Sequence, residues 1–599
     1  MLISFFLIFF LLILFLSFGF FFQKFFINSK ILVEFSFFEI VFFGIFFITL
    51  LSLFYNFFIS LHNKFFLITL FCIFFYSLFN FRNLIKNNIK KILILALILS
   101  PLCTYIDFGY DSGLYHVPYQ AIIQSDKIIF GLANLHMRYG LTTSHGYIAA
   151  LFWHNNIFNL VSSFSTILFS LFFVFIYEKI KNKNSIDNIF AISGLITFPI
   201  WYRYAELSIS LVDIYYSIFC YFVFYYGVKI IFYDDIYDNK IKNKIFLFLI
   251  FLSYTISTKP TAILLVLFLF FVFIIKYKIF LKNLLEIFKN NIISLLFFLF
   301  WILRNFIITS CLFYPIGFSC LNVSWQTSSI ESIVVSIKTY NSIIFNSFLN
   351  FIVDYQTLII ALIVIFLILI MNFKKFLNLL FAKREAILLT LSLIFVIFVL
   401  YVEPLKLIIH LIQSKQNVLL KTIYIKEVIF LIFFYIISMF FVLLTFKKGI
   451  TINKFSDINF SIFAPFLFFI ISFVIWILLG PNPRLGQNLF LLVTPAFFIL
   501  LVDLKKVTVY DFKKYFNILI IIVLLKISII QNFAQINNRS IIFLKKTAPK
   551  VKLEKRKFFG YYPKNTDLFC WTEKNCYPYN DVKIYKEVLN YKFFKEVKN

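Results

Sequence analysis

The sequence predicts an all-α polytopic membrane protein of about sixteen spans with an acidic loop on the outer side. Two compositional facts and one pattern carry that expectation. The 599 residues are 62% hydrophobic and only 14% charged. Apolar runs of spanning length recur throughout, and about 20 such residues cross a hydrocarbon core of about 30 Å. The polar breaks between runs alternate in character: some are short and lysine-rich, others are longer and hold the rarer polar residues. A soluble domain is excluded. Phenylalanine, at 92 residues, reads as filler for lipid-facing positions, where any large apolar side chain serves.

Taken in order, the spans fall near 2–22, 38–61, 65–81, 92–106, 156–177, 188–202, 207–230, 245–258, 261–277, 292–310, 357–373, 386–402, 427–446, 459–480, 488–504 and 515–532. The first lacks a basic leader and a small-residue cleavage site, so it reads as a retained span. Spans 92–106 and 245–258 are short and read as broken or re-entrant, which membranes tolerate only under protein or water cover. Four parts follow: N-terminal spans at 1–106, an outside loop at 107–155, a helical bundle at 156–532 that includes an outside loop at 311–356, and a small outside segment at 533–599.

The net charge of +29 does not point to nucleic acid. Lysines concentrate in RNLIKNNIKK (82–91), KIKNK (179–183), KIKNK (240–244) and KKFLNLLFAKR (374–384), the pattern of cytoplasmic loops. Placing these inside puts 107–150, 203–206, 258–260, 311–356, 403–426, 481–487 and the tail outside; 403–426, with its own lysines, fits least well. Of seven cysteines, Cys311, Cys320, Cys570 and Cys576 then lie outside. Cys570 and Cys576, in FCWTEKNCYPY with no histidine nearby, read as a disulfide rather than a zinc site.

Rare residues gather in the first outside loop. Of 14 glycines, Gly109, Gly113, Gly131, Gly140 and Gly146 lie there; of six histidines, so do His116, His136 and His145, with His154 just beyond. Glycine collects where backbone turns or approaches a ligand, histidine where protons or metals are handled. Asp107 and Asp111 occur in IDFGYDSGLYH. Four residues apart, they can share one face of a helical turn, although Gly109 and Gly113 argue for a bent loop. Among eight arginines, Arg138, Arg203, Arg304 and Arg484 map to outside loops or outer span ends. The guanidinium fork grips phosphate or carboxylate, so each reads as an anion ligand or as a loop-stabilising partner of Asp or Glu. Glu206 and Asp213 in AELSISLVDIYY and Lys259 in STKPTA complete the outer polar islands. Ionisable groups near membrane depth are functional candidates by default.

The ordered set, an acidic loop motif, a second outer aspartate, a Lys-Pro break and a late arginine turn, resembles the GT-C superfamily of integral membrane glycosyltransferases. YDSGLYH, GLANLHMRYG, RNFIITSCLFYP, GPNPRLGQN and CWTEKNC are also similar to a group of uncharacterised bacterial multi-spanning proteins. The resemblance covers about 100–320, 475–490 and 560–577. It departs from the usual pattern in having about three spans before the acidic loop rather than one.

The resemblance implies a GT-C-like helical bundle in the bacterial cytoplasmic (inner) membrane, active in cell-envelope polysaccharide biosynthesis. Its functional loops and C-terminus would face outside. The activity would be transfer of a sugar from a polyprenyl-phosphate-linked donor to a glycan or glycolipid acceptor. Asp111 is the expected general base, with Asp107 second and His116 beside them. Arg138, His136, Asp213, Lys259, Arg304 and Arg484 are expected to bind substrate and leaving phosphate. A divalent cation among Asp107, Asp111 and His116 or Asp213 stays open. Leu114, Tyr115 and VPYQAIIQS are expected to form a juxtamembrane element in the lipid interface. A polysaccharide polymerase, a lipid-linked sugar flippase, and a non-enzymatic transporter or scaffold are the alternatives.

Overall fold

The computed structural model describes residues 2–327, 460–479, 487–501, 553–555, 561–563, 582–588 and 591–596, less breaks at 28–34, 106, 109–110, 142, 153–158, 181–183, 205–207, 210–212 and 234–238. The expected spans at 357–373, 386–402, 427–446 and 515–532 lie outside these residues.

The chain is mostly helical, as a chain in lipid must be when every backbone polar group needs an internal partner. In order come α1 (Leu2–Phe26), α2 (Phe37–Asn56), α3 (Lys64–Asn80) and α4 (Arg82–Tyr105); then β1 (Asp107–Phe108), a π-type turn at Ser112–His116, α5 (Val117–Ser125), α6 (Ser144–Leu151), α7 (Asn159–Ile180), α8 (Ser185–Tyr204) and β2 (Ser208–Ile209). After these run α9 (Asp213–Ile231), α10 (Asn239–Thr258), α11 (Leu265–Ile275), α12 (Tyr277–Lys282), α13 (Leu284–Asn290), α14 (Ile292–Thr309), α15 (Phe460–Leu479) and α16 (Gln487–Leu501). The strands β3 (Leu553–Lys555), β4 (Tyr561–Pro563), β5 (Val582–Val588) and β6 (Tyr591–Glu596) close the described chain.

Among the described residues, six helices are long and apolar enough to cross a membrane: α1, α2, α7, α9, α10 and α14. They mark a multi-pass membrane protein. A seventh crossing would be α3 with α4, which meet at a bend of 94°. The lysine-rich stretch 82–91, expected as a loop between two spans, instead forms the first turns of α4. Its Lys, Arg and Leu residues are good helix formers, and Asn88 Nδ2 bonds back to the Leu84 carbonyl at 2.9 Å. The break falls at Phe81.

The chain divides into two units. One comprises 1–174, 206–336 and 527–599; the other comprises 175–205 and 337–526, in which α16 packs on α8 and on α15. In the first unit, α1 and α2 cross at Gly19 and Gly44. A Cβ on Gly19 would lie 2.0 Å from the Ile40 carbonyl oxygen, and one on Gly44 would lie 1.9 Å from that of Phe15. Only glycine lets the two backbones meet so closely, the usual device of helix contacts in lipid.

Many phenylalanines sit between helices rather than on the lipid face, contrary to expectation. Phe42 of α2 stacks on Phe251 of α10 at 3.9 Å, and Phe46 meets Phe297 of α14 at 4.8 Å. Flat rings in offset and edge contacts fill interhelical space and add contact energy beyond burial. Lipid-facing rings exist as well, among them Phe65, Phe71 and Phe79 on α3.

Within this unit the two ends of the bundle differ. Lys24 lies in the last turn of α1 and Lys229 in that of α9; Lys242 opens α10 and pairs with Glu286 of α13 at 2.6 Å. At this end Glu39 caps α2 by accepting from the Ser36 N–H at 2.7 Å and accepts a second hydrogen bond from the Tyr226 hydroxyl. The opposite ends of α2, α10 and α14, and the starts of α7 and α9, meet the loop that holds the rare residues. Asn56 at the end of α2 donates to the Asp126 carbonyl at 3.1 Å, and the Gly131 N–H donates to the Ile307 carbonyl at 2.9 Å.

The C-terminal hairpin also docks at this end. β5 and β6 pair antiparallel, and β6 joins the loop through Phe130 N–H to Lys592 carbonyl and Phe594 N–H to Phe130 carbonyl, both 3.0 Å. Phe593 stacks on Phe130 at 4.4 Å, Lys592 pairs with Asp126 at 2.7 Å, and Phe594 is 1% exposed. Gly131, at φ 68°, turns the loop toward Asn134, whose Nδ2 donates to the carbonyls of both Phe594 and Trp325 at 3.2 Å.

Candidate functional site

The short parallel pair β1–β2 joins the two acidic motifs. Asp107 registers with Ser208 and Phe108 with Ile209. Asp111 follows β1 by three residues and Asp213 follows β2 by four, so chain reach holds each within about 10–14 Å of its strand. Asp107 belongs to the strand and Asp111 precedes the π-type turn. They therefore do not share one helical face; residues 109–110 and the side chain of Asp107 lie outside the described residues.

Asp111 is held by Arg138: Oδ1 accepts from Nη1 at 2.9 Å, with side chains 12% and 35% exposed. Arg138 reaches it because His136 caps a single 3₁₀ turn, its Nδ1 accepting the Arg138 N–H at 3.0 Å. The guanidinium also stands 5.1 Å from the Tyr115 ring centre, a cation–π distance. Tyr115 in turn neighbours the His116 and His136 rings at 4.1 and 6.1 Å. His136 is fully buried. Burial, with the Arg138 charge second, lowers its pKa to about 3, so it is neutral at physiological pH.

A second ion pair joins the start of α9 to the end of α10. Lys259 Nζ lies 2.6 Å from Asp213 Oδ1, both side chains less than one-fifth exposed, and 5.1 Å from the Tyr216 ring centre. Pro260 cannot continue α10, and its fixed φ starts a 3₁₀ segment that leaves Lys259 at the break. Two residues earlier, Ser257 Oγ shares a 2.6 Å hydrogen bond with Ser144 Oγ at the start of α6.

Below these lies Arg304, 1% exposed inside α14. Its Nη2 donates to the Tyr119 hydroxyl at 2.9 Å and the Tyr139 carbonyl at 3.2 Å, and its Nη1 to Asn305 Oδ1 at 2.8 Å. Tyr119 passes a hydrogen bond to Tyr147 at 3.3 Å. Burial, with Tyr119 second, pushes the Tyr147 hydroxyl pKa up. Arg304 thus ties α14 to α5, α6 and the turn that carries Arg138. Its guanidinium, expected to meet substrate or leaving phosphate, here meets protein acceptors.

The segment expected at the lipid interface is instead inside the protein. Val117 to Gln124 of α5 are all buried. The reason is its polar content: Tyr119 serves Arg304, and Gln124 donates to the Ala150 carbonyl, bonds that lipid could not offer.

The structure therefore brings together Asp111, His116, His136 and Arg138, sets Asp213 with Lys259, and buries Arg304 beneath the loop. Arg484, Cys570 and Cys576 lie outside the described residues, as does the side chain of Arg203. Among the described residues no three His, Cys, Asp or Glu side chains stand together as a metal-binding set. Sequence reasoning assigned Tyr115 and Tyr119 to the lipid interface and passed over Tyr139 and Tyr147, which a chain with 34 tyrosines does not single out. It also did not pair Cys311 with Cys320, which form a disulfide. Their nine-residue spacing within one outer loop was the available signal. That loop returns to the site through Tyr314, whose hydroxyl donates to the Met137 carbonyl at 3.2 Å.

The chain belongs to DUF8201, a family described as a domain of unknown function, whose model matches residues 1–406. The match includes every residue of both ion pairs and Arg304, and stops short of Arg484 and the tail. No curated protein and no solved structure matches the chain.

Proposed function

We propose that this chain is a membrane glycosyltransferase that moves a sugar from a polyprenyl-phosphate-linked donor to an envelope glycan or lipid acceptor. The reaction would take place at the outer face of the cytoplasmic membrane. The observation that carries the reading is the Asp111–Arg138 pair at 2.9 Å, a carboxylate with a cation fixed beside it at one end of an apolar bundle. A group-transfer reaction from a lipid phosphate needs both functions, and needs them where lipid and water meet.

In this reading Asp111 accepts the proton of the acceptor hydroxyl as that oxygen bonds to the anomeric carbon. The bond from that carbon to the phosphate oxygen breaks, and its electron pair leaves with the polyprenyl phosphate. Arg138 and Lys259 face the developing negative charge. Arg304 acts indirectly, by holding α5, α6 and the Arg138 turn against α14.

Outward placement of this end is supported by the lysines at the opposite end and by the Cys311–Cys320 disulfide, since disulfides persist outside the reducing cytoplasm. The purified full chain in lipid nanodiscs, given a panel of polyprenyl-phosphate monosaccharides and envelope lipid extract, tests the reaction. Release of polyprenyl phosphate by wild type, reduced at least 100-fold in Asp111→Asn, is the expected result. Equal release by the two proteins sinks the catalytic assignment.

A further inference from the structure

His145 is the second residue of α6 and is 1% exposed. Its ring lies in a slot between Phe164 of α7, at 5.4 Å and 19°, and Tyr215 of α9, at 5.2 Å and 24°. Stacking between two rings needs an aromatic face but no ring nitrogens. Neither Nδ1 nor Nε2 of His145 has a hydrogen-bond partner among the described residues. Buried polar groups are nearly always paired, and an unpaired one costs stability. A residue that keeps such a cost where stacking needs no nitrogens calls for something that meets them.

The surroundings indicate what that is. His145 adjoins both ion-paired segments. Its neighbour Ser144 bonds Ser257, two residues before Lys259; Tyr215 stands two residues after Asp213; and His116, five residues after Asp111, is close enough for its charge to act on the ring. Burial, with His116 second, lowers the His145 pKa to about 3, so the ring is neutral and offers one donor and one acceptor. An anion would favour the protonated ring and two donors. A hydroxyl, itself donor and acceptor, matches the neutral one.

We propose that His145 is a substrate-binding residue that takes a sugar hydroxyl between the Asp111–Arg138 and Asp213–Lys259 pairs. The assignment rests on the transferase reading. A trapped water is the competing occupant.

The test uses full-length His145→Phe, His145→Gln and Asp111→Asn, expressed in a deletion strain. Glycan product is measured by mass spectrometry and normalised to monodisperse protein recovered from the membrane, and Tm is measured on the same samples. His145→Phe is expected to lower product at least tenfold per folded protein, beyond any change in Tm that the larger ring causes. His145→Gln, which retains a donor and an acceptor, is expected to give at least threefold more product than Phe. Full product from His145→Phe while Asp111→Asn is inactive overturns this assignment alone and leaves the water. Equal loss in Phe and Gln at unchanged Tm also overturns it. Full product from Asp111→Asn overturns the transferase reading, and this assignment with it.

Discussion

At the scale of single residues, the site combines a few strong charges with side chains held neutral by burial. His136 and His145 both have pKa values lowered from about 6.5 to about 3. The unfolded chain takes up their protons below pH 6.5, whereas the folded chain resists until about pH 3. Stability is therefore fully present above pH 6.5 and falls through that window, by about 1.4 kcal/mol per pH unit for each histidine. Tm of the solubilised chain should drop between pH 6.5 and 4.5, and His136→Gln should make the drop shallower. Identical slopes in wild type and variant would show that His136 titrates normally. Much of this cluster was legible in the sequence, because Asp, His, Gly and Arg stand out against a background of Phe, Ile and Lys. The contacts of the tyrosines that complete it were not: Tyr115 and Tyr119 read as interfacial, and Tyr139 and Tyr147 are lost among 34 tyrosines. Arg304 was legible as special, but its protein partners were not, because only the fold shows that Tyr119, Tyr139 and Asn305 meet its donors.

At the scale of elements, two small pieces of β structure do work that hydropathy could not foresee. β1 and β2 are two residues each, too short to leave a periodic signal, yet they register the two acidic motifs. The C-terminal hairpin docks on Phe130 from more than 450 residues away in sequence, a contact that no local pattern encodes. Its anchor is Phe594, 1% exposed, and truncating such a ring costs about 3–5 kcal/mol. Phe594→Ala should release the hairpin locally. The expected outcome is protease cleavage within 582–599 at doses that leave wild type intact, with the bundle helices retained by circular dichroism. Unchanged protection would mean that the hairpin is held by its other contacts, Tyr591 to the Phe57 carbonyl and Lys592 to Asp126. Long apolar helices were legible among the described residues, but their ends were not: α4 absorbs a lysine-rich stretch that reads as a loop, and α5 is buried although its sequence reads as interfacial.

At the scale of the whole molecule, the first unit has a lysine-rich end and an end built from the acidic loop, the disulfide loop and the C-terminal hairpin. If the lysine end is cytoplasmic, a membrane-impermeant thiol reagent should label Glu587→Cys in intact spheroplasts. Lys289→Cys should react only after permeabilisation. Both residues are exposed, and a Cys72→Ser background removes the one free cysteine exposed among the described residues. Reversed accessibility would turn the molecule over and remove the case for an outer active site. The central claim is tested most directly by the envelope of a deletion strain, analysed by mass spectrometry after complementation with wild type or Asp111→Asn at matched membrane levels. The account predicts that one defined sugar disappears from a glycolipid or polysaccharide and returns only with wild type. Return of that sugar with Asp111→Asn would contradict it, and would make the loop around Asp111 and Arg138 a structural cap.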